Sequence, residues 1–509
     1  MVDPTQRAYR AACPGCGAPV EFRSAQSTHA VCSYCQSTVV RDGDTLARIG
    51  KMAEVFEDYS PLQLFAAGRW PNPQKPGQTL GFTVVGRLQY KTSSGTWSDW
   101  QVALDDGRTA SLSEDNGAFV FSLPLQTQTS LSDAAHFRLG ATTAINGVSY
   151  TVSANEPAVL LAAQGELPKL PPLGQPFDMV ELRSDQGEVL SVDYSVQPPA
   201  TSLGHEVLLD DLKLVGLRDL STKEDKGQQF NCPNCGAPVA VTLATSQSIT
   251  CGSCNSIIDL SQGLGSQLKH AIQDEPVQPV IPLGSSGQLQ GVAWQVVGFQ
   301  HRMGVEPGDD EHFGWSEYLL YNKKRGFSFL VDSEEGWSMV KPTTGAPTMT
   351  SNGQTATYLG TRYQLKSRYE AQTTYVAGEF YWPVQRGQKT SNRDFASGKS
   401  LLSLEQTPKE LTWSSGSIID SAAIAKAFKL DGKADLLKRA DVAPANAITA
   451  KGCLTVVVIC LILFVLLLLL SRCSRCDPNV QDCRSTSSGS TARSSGGSFG
   501  GYSGGGGHK

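Results

Sequence analysis

A four-cysteine pattern that occurs twice constrains this chain more than any other feature. Each copy reads C-x2-C-x15-C-x2-C, and Cys232 opens the second copy 219 residues after Cys13 opens the first. The surrounding words also match, CPGCGAPV in the first copy and CPNCGAPV in the second. Paired C-x2-C motifs at this spacing are typical of structural zinc ribbons. The eight predicted metal ligands are Cys13, Cys16, Cys32, Cys35, Cys232, Cys235, Cys251 and Cys254.

Each quartet is predicted to hold one structural Zn²⁺. Zinc takes four thiolates at tetrahedral corners, and one tight C-x2-C knuckle supplies two of them. The residue after a knuckle often has φ > 0, which suits Gly17 and Gly236 and is tolerated by Asn255; Gln36 takes the equivalent place. Four cysteines close the coordination shell and leave no place for a catalytic water. The alternatives are a redox C-x-x-C pair or a disulfide framework, but neither requires a duplicated quartet.

Length and composition indicate several β-rich domains rather than one core. The chain has 509 residues, of which 18% are charged, with 50 Gly and 27 Pro that punctuate short strands. The net charge of −5 argues against nucleic-acid binding, which needs a clustered positive surface. The N-terminal residues contain no apolar core of signal-peptide type, so we expect the bulk of the protein in the cytosol, with reduced thiols.

Short alternating runs follow each ribbon and predict antiparallel barrels or sandwiches. In the first unit, TLGFTVVGRLQY reads as a strand with a bend at Gly86. The second half repeats this order at an offset of 213. The recurring residues are Gly147, Tyr150, Gly165 and Glu166, repeated as Gly360, Tyr363, Gly378 and Glu379. The predicted domains are ribbons at 8–42 and 228–262 and β domains at 60–220 and 285–430.

The strand words VVGR-x-Q-Y, W-S-x-W/Y and G-E-x-x-x-P/V resemble a bacterial family known as domain of unknown function 4178. The resemblance covers about residues 60–220 and 285–430, and its motifs are strand and turn words. It therefore implies the tandem β fold preceded by ribbons, without any established reaction or functional residue. Members of the family are often encoded near polyamine-synthesis enzymes and small membrane proteins, which implies a polyamine-related role as one alternative.

Two short helices are predicted beside the β units. Asp44 can cap a helix after the first ribbon, with apolar residues near helical spacing at Leu46, Ile49, Met52, Val55 and Phe56. Asp420 can cap a second helix, with Ile424 and Phe428 on one side. The second region is basic, so it either rests on an anionic membrane surface or docks on the second β unit.

Aromatic and acidic residues recur in the repeats and have two interpretations each. Trp97, Trp100, Trp315 and Tyr318 form either a ligand-stacking face or core filling, which strand aromatics favour. Glu166 and Glu379 are either general bases or residues at a solvated strand end or in a turn hydrogen bond. The second interpretation is favoured because no partner acid recurs beside them. The acidic loop at 308–312 occurs only in the second unit, and solvated charge is its simplest interpretation.

An uncharged stretch at 452–470 predicts one transmembrane helix. Its 19 residues span roughly 28 Å as a helix, close to the ~30 Å hydrocarbon core. Flanking Lys and Arg counts barely discriminate orientation, so the reduced ribbons place the large N-terminal part inside. The tail at 471–509 is Ser- and Gly-rich and is predicted to be disordered. Its cysteines, for which the sequence alone assigns no role, are Cys473, Cys476 and Cys483.

The sequence therefore predicts a non-enzymatic interaction or scaffold protein anchored in the bacterial inner membrane by a single pass. Its modules would face the cytosol, bind a protein partner at the membrane surface and carry two structural zinc ions, without nucleic acid. The alternative is an enzyme or a small-ligand sensor whose site lies on the β domains. No H-E-x-x-H, G-x-S-x-G or P-loop motif is present, and no catalytic residue is assigned.

Overall fold

The computed structural model describes residues 9–439, except 43–44, 53–59, 73–74, 93–95, 116, 129, 219–227, 244–245, 262–267, 274–276, 409, 431 and 433. Within this part of the chain, no helix has the length and apolar character needed to cross a membrane. The predicted span at 452–470 and the predicted tail at 471–509 lie outside the described residues.

The described residues of the first half form strands and one short 3₁₀ helix at Ala134–His136. The strands are β1 (Tyr9–Ala12), β2 (Pro19–Phe22), β3 (His29–Val31), β4 (Ser37–Asp42), β5 (Thr45–Lys51), β6 (Ala67–Pro71), β7 (Thr79–Lys91), β8 (Thr96–Leu104), β9 (Thr109–Asp115), β10 (Ala118–Leu125), β11 (Thr142–Ile145), β12 (Val148–Leu167), β13 (Pro176–Arg183), β14 (Glu188–Asp193) and β15 (Ala200–Glu206).

The described residues of the second half repeat this order and continue into two helices, α1 (Ser421–Ala427) and α2 (Ala434–Leu437). Its strands are β16 (Gln228–Asn231), β17 (Pro238–Val241), β18 (Ser248–Thr250), β19 (Ile257–Asp259), β20 (His270–Ala271), β21 (Ser286–Leu289), β22 (Val292–Val305), β23 (His312–Asn322), β24 (Gly326–Ser333), β25 (Gly336–Pro342), β26 (Thr348–Met349), β27 (Thr355–Tyr358), β28 (Thr361–Phe380), β29 (Lys389–Ser397), β30 (Ser400–Gln406) and β31 (Leu411–Ile419).

Each half forms a closed antiparallel barrel of eight strands, which confirms the mainly β fold and selects a barrel over a sandwich. In the first barrel the order is β7-β8-β9-β10-β15-β14-β13-β12, and β12 pairs with β7 to close it. In the second barrel the order is β22-β23-β24-β25-β31-β30-β29-β28, closed by β28 with β22. Closure leaves no sheet edge among the eight strands of each barrel.

Glycines allow the closing strands to approach each other. A Cβ on Gly86 of β7 would lie 1.9 Å from the Glu166 carbonyl oxygen of β12. Gly165 has φ +73, and a Cβ there would lie 2.3 Å from the Val85 carbonyl oxygen. A register shift between Val84 and Gly86 makes a bulge, so the predicted bend at Gly86 is confirmed. The same pair recurs in the second barrel as Gly298 and Gly378.

The ribbon hairpins are continuous with the sheets of the barrels. The long strand β12 pairs with β13, then with β7, and finally with β3 of the first ribbon. Strand β28 likewise pairs with β29, β22 and β18 of the second ribbon. Each ribbon hairpin therefore extends the sheet of the barrel that follows it in the chain.

The helix predicted from Asp44 is wrong. Residues Thr45–Lys51 form β5, which pairs antiparallel with β4. The apolar spacing at Leu46 and Ile49 is compatible with helix, but the neighbouring strand offers a ladder of backbone hydrogen bonds that local periodicity cannot reveal. Ile49 is exposed on this strand, and Val55 and Phe56 lie outside the described residues.

The helix predicted at Asp420 is confirmed, and it docks on the second barrel. The Asp420 carboxylate accepts a hydrogen bond from the Ala422 N–H at 2.9 Å, as an N-cap does. Ile424 and Phe428 are buried in a core cluster with barrel residues. The Trp337 indole donates to the Leu437 carbonyl at 2.8 Å, which fixes α2 on the same barrel.

Candidate metal centres and barrel lumen

The four thiols of each quartet converge on one point. Within each group all four Sγ atoms lie within 4.8 Å of one another. The Sγ atoms of Cys13 and Cys35 are 3.7 Å apart, as are those of Cys16 and Cys32. Four ligands about 2.3 Å from a central ion at tetrahedral angles lie about 3.8 Å apart, so the spacing fits a metal ion. The described cysteines form no disulfides.

The knuckle backbones have the conformation that the sequence predicts. The φ angles are 75° at Gly17, 58° at Gln36, 74° at Gly236 and 57° at Asn255. The turn brings N–H groups to the site, and Gly15 donates to the Cys13 sulfur at 3.3 Å. Both quartets can therefore hold a metal ion, while its identity as zinc remains a prediction.

Serine hydroxyls support one thiolate in each quartet. The Sγ of Cys35 lies 3.2 Å from the Ser37 hydroxyl, and this contact lowers the pKa of the Cys35 thiol to about 6. The Sγ of Cys254 lies 3.3 Å from the Ser256 hydroxyl, which lowers the pKa of that thiol to about 5. Thiolates are the form that binds a metal, so these contacts favour ligation.

The recurring glutamates join each ribbon to its barrel. Glu166 is only 3% exposed, and its carboxylate accepts hydrogen bonds from the N–H groups of Arg23 at 2.7 Å and Ser24 at 2.9 Å. Burial raises the pKa of Glu166, although the two N–H donors oppose this shift. The prediction of a turn hydrogen bond is thus confirmed, whereas the prediction of a solvated strand end is wrong.

The equivalent Glu379 makes a larger set of contacts. Its carboxylate accepts from the N–H groups of Thr242 and Leu243, each at 2.9 Å. The Thr242 hydroxyl at 2.5 Å and the Ser246 hydroxyl at 2.6 Å complete the site. These partners belong to the segment between β17 and β18, so the carboxylate holds the ribbon loop on the barrel. Its contacts are structural and give no sign of a general base.

Three of the four recurring aromatic residues fill cores, and the four do not form one exposed face. Trp100, Trp315 and Tyr318 are buried in three different clusters. Trp97 is half-buried and stacks on Tyr90, with ring centroids 5.1 Å apart. The acidic loop after β22 is exposed at Gly308, Asp309 and Asp310, as its simplest interpretation predicts.

The interior of the second barrel is filled at the level of Phe329. Phe329, Leu319 and Val331 point inward and are almost fully buried. Beside them, the guanidinium of Arg302 crosses the interior to contact the Glu405 carboxylate at 2.9 Å. Strands β22 and β30 do not pair, so a contact between Arg302 on β22 and Glu405 on β30 shows that both side chains point into the barrel.

The first barrel has a polar, open lumen at the same positions. The strand registers match Phe329, Leu319 and Val331 to the following smaller or polar residues of the first barrel: Ser111, Gln101 and Ser113. These residues line a cavity of about 1580 Å³ that continues through the junction between the barrels and reaches Val340 and Glu405 of the second barrel. The side chain of Glu181 is 34% accessible here, whereas its counterpart Asp394 is 1% exposed.

Charged residues form a cluster near Tyr90 and Trp97, whose stacked rings line the lumen. Lys169 forms an ion pair with Asp193, and Asp99 accepts hydrogen bonds from Ser113 and Gln101 at 3.0 Å. Burial raises the pKa of Asp99, with a smaller contribution from the charge of Asp193. The two carboxylates therefore share one lysine within the lumen.

A second charged cluster lies where the lumen meets the other barrel. Arg183 pairs with Glu181 at 2.5 Å and donates to the Thr343 carbonyl at 3.0 Å. Desolvation by the surrounding cavity walls raises the pKa of Asp115 to about 7 although the residue is exposed to solvent, and the charges of Glu181 and Glu410 add to this effect. The sequence did not identify these residues, because they converge only when strands distant in the chain close the barrel.

Comparison with known proteins supports the family rather than an activity. The family model described as a domain of unknown function (DUF4178) matches residues 79–208 and 282–421, which together exceed half of the chain. These ranges contain all eight strands of each barrel. Searches of the curated proteins and of the solved structures found no match. The chain therefore belongs to the DUF4178 family and carries its domain in two copies.

Proposed function

We propose that this chain is a non-enzymatic binding protein whose first barrel takes a small molecule in its lumen. One observation carries the proposal: equivalent interior positions are filled by Phe329 and Leu319 in the second barrel but are Ser111 and Gln101 around a cavity in the first. Ligand pockets commonly measure about 300–1,000 Å³, so the lumen with its junction has room for a small molecule. The second barrel and the ribbons supply the framework.

Transplanting the filling of the second barrel tests this proposal. In Ser111→Phe/Ser113→Val, two interior residues of the first barrel become their counterparts from the second. Burying the phenyl ring stabilises by about 1.5–3 kcal/mol, so we expect equal or higher thermal stability together with a closed lumen. Native mass spectrometry of the full chain in detergent, followed by metabolite extraction, should detect a retained small molecule in the wild type and not in the variant.

The matched control places the same ring outside the lumen. Ser130 is exposed in a loop of the first unit, so Ser130→Phe should leave retention unchanged. If a folded lumen-filled variant retained the same molecules as the wild type, lumen binding would be ruled out. If the wild type retained none from any cell extract, the proposed function itself would fail.

The metal in both ribbons is proposed to be Zn²⁺. Four-thiolate tetrahedral sites suit zinc, and the spacing of the sulfur atoms supports that geometry. Elemental analysis of the purified chain should give two zinc ions, and Cys232→Ser should give one. Another metal at the same stoichiometry would correct the identity, and no bound metal would refute the ribbons.

The membrane anchor and the protein partner are also proposals, because they rest on the uncharged sequence at 452–470. The anchored chain would present its barrels to the cytosol and bring a ligand-dependent partner to the inner membrane. A reporter fused after Lys509 should behave as extracytoplasmic, and a cytoplasmic signal would reverse the topology. A pull-down from solubilised membranes without any reproducible partner would contradict the scaffold role.

The enzyme alternative draws on the same lumen. Asp99, Asp193 and Lys169 converge there, and paired carboxylates with an amine can transfer protons. Turnover of a retained molecule by the wild type, and its loss in Asp193→Asn, would favour this alternative over simple binding.

A further inference from the structure

The second barrel shows which chemistry fits the charged positions of the lumen. Its Arg302 guanidinium lies 2.9 Å from Glu405 and 3.5 Å from Glu317, and the Thr390 hydroxyl accepts a hydrogen bond from it at 2.6 Å. The guanidinium also lies 5.5 Å from the Trp315 ring centroid, within range of a cation–π contact. The interior of this barrel thus holds a planar cation between two carboxylates and against an indole.

The first barrel repeats this frame without the arginine. Strand register aligns Asp99 with Glu317 and Asp193 with Glu405. Trp97 on β8 takes the place of Trp315 on β23, since each pairs with a residue at the same position of the preceding strand, β7 or β22. That preceding residue is Arg302 in the second barrel and Tyr90 in the first. The two acids and the indole are therefore retained.

The space and the charge of the first barrel also match a cation. Tyr90, Trp97, Asp99 and Asp193 all line the cavity. Lys169 pairs with Asp193, so the two carboxylates together have only one basic side chain among the described residues of this cluster. Burial raises the pKa of Tyr90 well above its usual range, with Asp99 and Asp193 adding to the effect, so the phenol stays neutral and adds no third anion.

We propose that the lumen of the first barrel binds a small planar cation, a guanidinium or amidinium group, between the two acids that correspond to Glu317 and Glu405 of the second. The cation lies on the Tyr90–Trp97 stack and hydrogen-bonds to Asp99 and Asp193. This inference rests on the proposed function, because it names the class of molecule that the lumen takes. Charge-assisted bonds and an aromatic face supply both affinity and orientation.

Three probes of one shape test the charge of the ligand: benzamidinium, benzamide and benzoate. Calorimetry with the full chain should give benzamidinium binding at least about tenfold tighter than benzamide, since one charge-assisted bond contributes that much. Benzoate should not bind measurably. Quenching of tryptophan fluorescence by benzamidinium should disappear in Trp97→Phe if the probe occupies the lumen.

Substitutions at Asp99 distinguish binding at this site from nonspecific attraction by the net charge of the protein. Asp99→Asn should weaken benzamidinium binding about tenfold or more, whereas Asp99→Glu should retain it, because the second barrel uses glutamate at this position. Asp178→Asn is the matched control. Asp178 is exposed on β13 and does not line the cavity, so its substitution removes the same charge outside the site.

The outcomes distinguish this inference from the proposed function. Equal or tighter lumen binding of benzamide or benzoate would overturn the cationic class but would keep the lumen as a binding site. Benzamidinium binding that survives Asp99→Asn and Trp97→Phe would also overturn it. Failure of all three probes overturns the cationic site, and the mass-spectrometric test then decides the proposed function independently.

Discussion

At the scale of single residues, the buried glutamates are the joints between ribbon and barrel. Glu379→Gln keeps the shape but loses the charge that two N–H groups and two hydroxyls contact. Hydrogen bonds to charged groups contribute about 1.5–3 kcal/mol, so we expect a loss of that order in the free energy of unfolding. Chemical denaturation measures it, and faster metal release to a chromogenic chelator should accompany it.

Glu370→Gln provides the control for this prediction. Glu370 lies on the same strand, β28, but is exposed, so its substitution should change stability by less than about 0.5 kcal/mol. Equal effects of the two substitutions would mean that Glu379 does not hold the ribbon.

Asp115 should make the stability of the protein depend on pH. Its folded pKa of about 7 lies above the ordinary value of 3.8, so the folded state binds this proton more tightly. The stabilising contribution is therefore complete below pH ~4 and is lost as pH rises to about 7. Asp115 lines the water-accessible cavity, and solvent there screens part of the effect.

The measurement compares wild type with Asp115→Asn. Between pH 5 and pH 7.5 the thermal unfolding temperature should fall more in the wild type than in the variant, which lacks this titrating group. Parallel pH profiles of the two proteins would contradict the assignment.

Local residue patterns reveal metal ligands more readily than the buried glutamates that join ribbon and barrel. The cysteines and the left-handed residues after them follow from local spacing, because a knuckle is a turn of a few residues. Glu166 recurs visibly, but its partner Ser24 lies 142 residues away. Its role therefore depends on which strands meet, and no local pattern contains that information.

At the scale of elements, the crossing of β7 and β12 depends on glycine. In Gly86→Ala the new Cβ would lie 1.9 Å from the Glu166 carbonyl oxygen, which belongs to the backbone and cannot rotate away. Overpacking of this kind costs about 3 kcal/mol or more, and it should also loosen the neighbouring Glu166 joint. Thermal denaturation and metal release report the two effects.

Gly50→Ala is the matched control on another strand. A Cβ on Gly50 meets nothing within 4 Å, so alanine on β5 should be neutral or slightly stabilising. A tolerated Gly86→Ala would show that β7 and β12 separate easily and would contradict the close approach.

At the scale of the whole molecule, metal binding should stabilise the barrels as well as the ribbons. The ribbon hairpins extend the barrel sheets through β12 and β28. Chelation of both metal ions should therefore lower the unfolding temperature of the barrels, by linkage between binding and folding. Tryptophan fluorescence follows the barrels, since the described tryptophans lie in or beside them.

A metal-free protein with unchanged barrel unfolding would show that the ribbons fold independently. Adding Zn²⁺ back should restore the original transition, which separates metal loss from irreversible damage. Cys232→Ser should affect the second barrel more than the first.

The sequence by itself determined the eight convergent thiols, the tandem repeat and the mainly β class, because these depend on local spacing and alternation. Tertiary structure decided that β5 is a strand, that ribbons and barrels share sheets, and that Glu166 and Glu379 are buried joints. It also decided that Phe329 and its neighbours fill the second barrel where the first has a cavity. Side chains that face each other across a closed barrel come from distant strands, so only closure shows whether Ser111 borders a cavity or a packed core.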